Sequence, residues 1–226
     1  LDKVIDVCRR YDLWCHVDAC IGGPVLLMDE YATYRDALTQ ADSFSVDLHK
    51  WFFLPLTASL IMTRHPVVEA DCFQLEASYI PKGEPEPFQR GIPTSRRATG
   101  LTAWLAIDAY GWDFVEVAVR RNIHLTRLLE HRLREAGLDV LPGGDLSVCC
   151  ARLDNDSLAP DFHEHVAENV RQQGSAWFGT VQHDGRIWWR FNILNLYADE
   201  THVVQITALL TREIARMTGE HAPAVS

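Results

Sequence analysis

The sequence predicts an α/β protein, on three observations. Short apolar runs end in ionisable residues, Gly-rich or polar loops follow them directly, and stripes of helical period lie between. Of 226 residues, 47% are hydrophobic and 23% charged, a balance that suits one or two packed domains rather than a disordered chain. The formal net charge of −10 argues against a nucleic-acid partner, because phosphate backbones demand clustered Lys and Arg. No apolar run is long enough to cross a membrane and none reads as a signal peptide, so no membrane partner and a cytoplasmic protein are expected. Cys8, Cys15, Cys20, Cys72, Cys149 and Cys150 form no CxxC pair. They read as small buried hydrophobes in a reducing compartment, and no metal site is expected.

Residues 1–10 form the first expected helix, with Val4, Ile5 and Cys8 on one face. No capping signal precedes it, so the chain is expected to begin inside a domain, as a half-protein, a processed fragment or a truncated piece. Residues 13–17 read as a buried strand that ends at Asp18, with Gly22-Gly23-Pro24 close behind. A short helix over 31–39 leads to a second strand, 43–46, just before Asp47-Leu48-His49-Lys50-Trp51, and 58–63 is a third. Residues 71–95 carry four prolines and two glycines and cannot hold a long helix, so a functional loop is expected there. Residues 101–136 read as one or two long helices with a break at Gly111. The last third, 137–226, reads as a small separate α/β unit. It has a strand at 146–153 with Cys149 and Cys150 on opposite faces, and a helix over 162–173 stopped by Gly174. Two strands, 176–182 and 186–193, flank the hairpin signal Asp184-Gly185, and a helix over 201–217 precedes a frayed tail. The expected division is therefore 1–100, connecting helices 101–136, and 137–226.

Two segments carry the chemistry: His16-Val17-Asp18-Ala19-Cys20 with Gly22-Gly23, and the run from Ala41 to Trp51 that contains His49-Lys50. Each sets ionisable residues directly after a strand, and ligands of open α/β sheets bind at the carboxyl ends of strands. Asp18 and Lys50 are thus expected to face one crevice. These segments resemble the group II pyridoxal-phosphate decarboxylases, which include aromatic amino-acid, glutamate, histidine, cysteine-sulfinate and 2,4-diaminobutyrate decarboxylases. The resemblance covers essentially the whole chain in five ordered blocks: HVDACIGG, with Cys20 where a second Ala is usual; ADSFSVDLHKW; EASYIPK; IPTSRR with the Trp104 helix; and DGRIWWRFNILN.

The resemblance implies a fold-type I arrangement: part of a large, mostly parallel-sheet domain that binds pyridoxal 5'-phosphate, followed by a small C-terminal α/β domain. It implies decarboxylation of a small-molecule L-amino acid to the amine and CO2. Lys50 would carry the cofactor as a Schiff base, desolvated and so able to act as a neutral amine. Asp18, a buried carboxylate, would keep the pyridine nitrogen protonated, and Ala19 would lie near the ring face. His49 would sit by the cofactor phosphate and assist proton transfer. Asp47 and Ser45 would bear on phosphate placement, and Ser95 and Thr94 would approach a neighbouring subunit's phosphate, or cap a helix. Tyr79 would protonate Cα after CO2 leaves; related enzymes with Phe there form aldehydes instead. His16 would bond to Asp18 or fill space, Gly22 and Gly23 would serve the backbone turn, and Arg190 would be structural rather than a clamp on the substrate carboxylate. The family's large domain begins well before HVDACIGG, so a second polypeptide supplying the N-terminal half is expected, in a dimer of complete units. Alternatives are another enzyme of the same cofactor class (aminotransferase, desulfurase or aldehyde synthase) or a non-catalytic scaffold half.

Overall fold

The structure, a computed structural model, describes residues 1–55, 58–73, 78, 79, 83, 87–89, 91–155 and 157–219. It comprises two compact units, Leu1–Glu116 and Val117–Ser226.

The first unit opens with helix α1 (Asp2–Arg10), whose buried residue Ile5 packs with Cys15, Ala37 and Ala41. Strand β1 (His16–Asp18) is shorter than the apolar run predicts, because Leu13 and Trp14 stay exposed and unpaired in the sheet. Two 3-10 turns and helix α2 (Ala32–Leu38) lead to β2 (Ser43–Asp47), and β3 (Ser59–Thr63) follows. β1 and β2 are parallel, with Asp18 opposite Ser45, whereas β3 runs antiparallel to β2, with Ser59 opposite Asp47. The described sheet therefore mixes one parallel with one antiparallel pair, since the short 48–58 connection cannot make a crossover. Gly23 is required by close approach: a Cβ there would stand 2.6 Å from Val46 Cγ1 on β2. All of Leu60, Ile61 and Met62 on β3 are exposed, so neither face of that strand is covered.

Helix α3 (Pro66–Phe73) enters the stretch expected as loop; its proline sits in the first turn, where no N–H is needed. Most of 74–90 lies outside the described residues. Helix α4 (Thr99–Tyr110) has Ala98 at its cap position, so neither Thr94 nor Ser95 caps it. Gly111, at φ +79°, separates it from α5 (Trp112–Glu135), a conformation that side chains with a Cβ resist.

The second unit holds a four-stranded antiparallel sheet in the order β4 (Asp139–Val140), β5 (Val148–Arg152), β7 (Arg186–Asn192), β6 (Gly179–His183). The two-residue β4 was not foreseen; it is too short to show a period. Asp184 and Gly185 both take positive φ in the β6–β7 turn, as a type I′ hairpin demands. Cys149, Ala151, Trp189 and Phe191 form one face of the sheet and pack with α6 (Phe162–Gln172), α7 (Glu200–Thr218) and the α5 residues Leu125, Leu129 and Leu133. Cys149 is buried and Cys150 less so, as their opposite faces require. Asp199 caps α7 by accepting from the His202 backbone N–H. Among the described residues, no helix is long and apolar enough to cross a membrane.

Candidate active site

The parallel pairing of β1 with β2 brings two ionisable segments to one sheet edge. Asp18 is the last residue of β1, and Ala19 N donates to Ser45 O at 2.9 Å, which extends the ladder to the edge. Lys50 stands three residues beyond Asp47, the end of β2. Its turn is fixed by burial: Leu48 and Phe52 are buried and Trp51 is 0% exposed. Phe53 then adopts φ +60°, a left-handed conformation rare for a bulky residue, and its N–H bonds back to Lys50 O at 3.1 Å. The HKW block is thus a rigid turn hung on a buried indole, with the lysine on its open side.

Asp18 accepts from Cys20 N at 2.9 Å. Hydrogen bonds from the Cys20 side chain and backbone hold its carboxyl below the usual range, and the nearby Lys50 charge lowers it further. The carboxylate is therefore ionised, as its expected role needs, but exposed rather than buried in this chain. Lys50 departs from expectation in a different way. Its Nζ lies 2.6 Å from Asp47 Oδ2, and that bond pushes its pKa up, against the smaller downward effect of burial. The side chain is 36% exposed, so desolvation is too weak to favour the neutral amine.

Asp47 is pulled down to about 2, first by Lys50 and then by Ser59, whose Oγ donates to Oδ1 at 2.5 Å. A carboxylate so engaged has no donor for a phosphate, so the structure gives Asp47 to the lysine instead. Ser45 Oγ lies 3.3 Å from Cys20 Sγ and 3.5 Å from His16 Nε2. His16 does not bond Asp18: its Nδ1 meets Ser43 Oγ at 2.8 Å, because β1 pairs His16 with Ser43. Ser43 Oγ also receives the Trp14 indole N–H at 2.9 Å, which leaves its own proton for His16.

His49 Nδ1 is held against the Ala58 backbone, 2.9 Å from its O and 3.3 Å from its N. Ala19 is buried beside this edge. Thr94 and Ser95 are exposed, while the neighbouring Arg97 lines a cleft with Leu54, Ala58 and Thr102. Tyr79 is 82% exposed, and its flanking residues 74–77 and 80–82 lie outside the described set. Arg190 belongs to the other unit, opposite Cys150 in the β5–β7 ladder, where it lowers the Cys150 thiol's pKa against the larger upward push of burial.

Three contributors were missed by sequence reasoning. Ser59 donates to Asp47, the Cys20 thiol lies against Ser45, and Phe53 closes the lysine's turn. Cys20 was visible as the departure from HVDAA; Ser59 had no local signal, since only the antiparallel register sets it opposite Asp47.

Comparison with known proteins bears on this arrangement. The family model described as the pyridoxal-dependent decarboxylase conserved domain matches residues 1–143. The aromatic-L-amino-acid decarboxylase of Manduca sexta is 24% identical over 206 residues, 89% of this chain and 40% of that protein. The 4-hydroxyphenylacetaldehyde synthase of Rhodiola rosea is 25% identical, over 90% of this chain and 43% of its own. The crystal structure of Oryza sativa TDC with PLP and tryptamine matches with a TM-score of 0.85 at 21% identity, covering 96% of this chain and 47% of that one. Mouse CSAD matches with a TM-score of 0.80 at 23% identity, covering 94% and 48%. These likenesses establish the fold, that of the fold-type I decarboxylases, and the chain spans less than half the length of these relatives. With well over half of its residues matched by the family model, the chain belongs to the pyridoxal-dependent decarboxylase family.

Proposed function

We propose that this chain carries the lysine-and-carboxylate part of a pyridoxal 5'-phosphate site, and that the protein decarboxylates an L-amino acid to the amine and CO2. The observation that carries the reading is the placement of Asp18 and Lys50 at the carboxyl ends of adjacent parallel strands, close enough for the charge of each to act on the other. A pyridine aldehyde suits that edge: Lys50 supplies an amine for the aldehyde, and Asp18 supplies an ionised carboxylate for the ring nitrogen. When bound, the cofactor supplies the electron sink for the carbanion that CO2 leaves at Cα. Asp18 holds a proton on the ring nitrogen by opposite charge. His49, its Nδ1 held against the Ala58 backbone, is assigned a part in proton transfer through Nε2. The small, buried Ala19 permits close approach of a flat ring. Tyr79, in its exposed position, is assigned the return of a proton to Cα.

Tyr79 favours decarboxylation over the aldehyde-forming reaction for which one relative is named. The exposed apolar surface of β3, and a length under half that of the relatives, favour completion of the first unit by further polypeptide, in a dimer of complete units. Six free cysteines suit a reducing cytoplasm. The test is to load the natively expressed protein with pyridoxal phosphate, reduce it with borohydride, and map the pyridoxyl group. It is expected on Lys50 and absent in Lys50→Ala. A panel of L-amino acids is then assayed for CO2 and for amine against aldehyde. Pyridoxyl label elsewhere, or aldehyde with ammonia as products, would overturn the assignment of the lysine or of the reaction respectively; label on Lys50 with no turnover would favour a non-catalytic scaffold.

A further inference from the structure

Asp47 is gripped from two sides. Lys50 Nζ lies 2.6 Å from one carboxylate oxygen and Ser59 Oγ 2.5 Å from the other. The β2–β3 register places Ser59 directly opposite Asp47, so this donor is fixed by backbone pairing rather than by a flexible loop. Cys20 stands at the end of the neighbouring β1, its sulfur 3.3 Å from Ser45 Oγ. Burial and the Asp18 and Asp47 carboxylates push the Cys20 thiol up, which keeps it an S–H donor. Lys50 is paired with Asp47, and the charges of Asp18 and Cys20 at the end of β1 act on it more weakly.

We propose that Asp47 is a positioning residue, the dock that receives the Lys50 side chain whenever its amine is free, with Ser59 holding the carboxylate in place. This rests on the reading of Lys50 as the cofactor-bearing lysine. In that chemistry the lysine leaves the cofactor each time an amino-acid substrate takes its place. The carbon–nitrogen double bond to Nζ would break as one to the substrate nitrogen forms, with the substrate ammonium shedding two protons and Nζ gaining two, so that the lysine leaves as a charged ammonium. No outside acid or reductant is needed. A charged amine released beside the substrate would otherwise be free to wander, whereas Asp47 holds it at one known position, three residues along the same rigid turn. The dock also selects for the charged lysine, so it favours release and opposes premature return.

The test needs no turnover. Cofactor-free, natively expressed protein is trace-labelled with acetic anhydride across a pH series, and Lys50 is read by mass spectrometry against Lys3. Asp47→Asn, which keeps the shape and removes the charge, is expected to raise Lys50 labelling near about pH 9, by roughly tenfold for each unit its pKa falls. Ser59→Ala is expected to move the profile the same way by less, and it carries the test should Asp47→Asn fail to fold. Asp47→Glu retains the charge and is expected to restore most of the protection. Identical profiles in wild type and Asp47→Asn, or in wild type and Ser59→Ala if only that variant folds, overturn the dock, as does a Glu variant as reactive as the Asn variant. Borohydride trapping on a parallel sample separates the two ideas: Lys50 pyridoxylated with an unchanged labelling profile sinks only the dock, and Lys50 never pyridoxylated sinks the cofactor reading beneath it.

Discussion

The two units of this chain treat apolar surface in opposite ways. In 117–226, α5, α6 and α7 supply Leu129, Val166 and Leu210 to a sheet face centred on Trp189, and each of these four side chains is fully or almost fully buried. In 1–116, β3 leaves Leu60, Ile61 and Met62 exposed, and Leu13, Trp14 and Trp104 are exposed as well. A strand with apolar residues uncovered on both faces has yet to bury what its sequence provides. The candidate site lies on the unit whose strand is left uncovered. Polar cross-strand bonds compensate locally: Asp47, Ser59, Lys50, Cys20 and Asp18 form a connected cluster at the sheet edge.

The largest expected effect tests the buried core. Trp189→Ala removes a side chain that is 0% exposed and whose indole N–H donates to His163 O at 2.7 Å. It is expected to cost about 3–5 kcal/mol in urea unfolding; a loss under about 1 kcal/mol would erase the contrast between the units. Gly23→Ala is expected to come next, at about 1–3 kcal/mol, because the new methyl would press on Val46 Cγ1. Since Gly23 follows the Asp18 loop, weaker pyridoxal loading at Lys50 should accompany the loss. Normal stability and loading would show that β1 and β2 can separate without harm to the site.

Smaller again is the pH effect of the Asp47–Lys50 pair. Asp47 is held at about 2, below its ordinary 3.8, so its contribution is present above that ordinary value and is lost as pH falls towards about 2. Lys50 is shifted up, so its contribution is present below its ordinary 10.5 and is lost as pH rises past the raised value. The protection factor of the Phe53 amide, which bonds to Lys50 O, should therefore be largest between those limits and fall at both ends in the cofactor-free protein, once the exchange rate is corrected for its intrinsic pH dependence. The change should be modest, because water screens a partly exposed lysine. A profile that stays unchanged in Asp47→Asn would mean that the pair does not hold the turn. The smallest effect belongs to Ile61→Thr, at 70% exposure, expected within about 0.5 kcal/mol for this chain alone. If the strand is covered in the assembled protein, the same substitution should cost clearly more there, and equal costs would argue that β3 faces water throughout.

Read by itself, the sequence determined the order of the longer helices and of every strand but β4, the Gly111 break, the Asp184-Gly185 hairpin, and the position of Asp18 and Lys50 at strand ends. These follow from period, turn chemistry and motif, all of which act over a few neighbouring residues. Tertiary structure alone decided that Lys50 is paired and charged, that His16 turns to Ser43, that Ser59 holds Asp47, and that Cys20 meets Ser45. The reason is register. Ser59 meets Asp47 across 12 residues and Cys20 meets Ser45 across 25, and such contacts exist only once strands align, which no local stretch of sequence encodes.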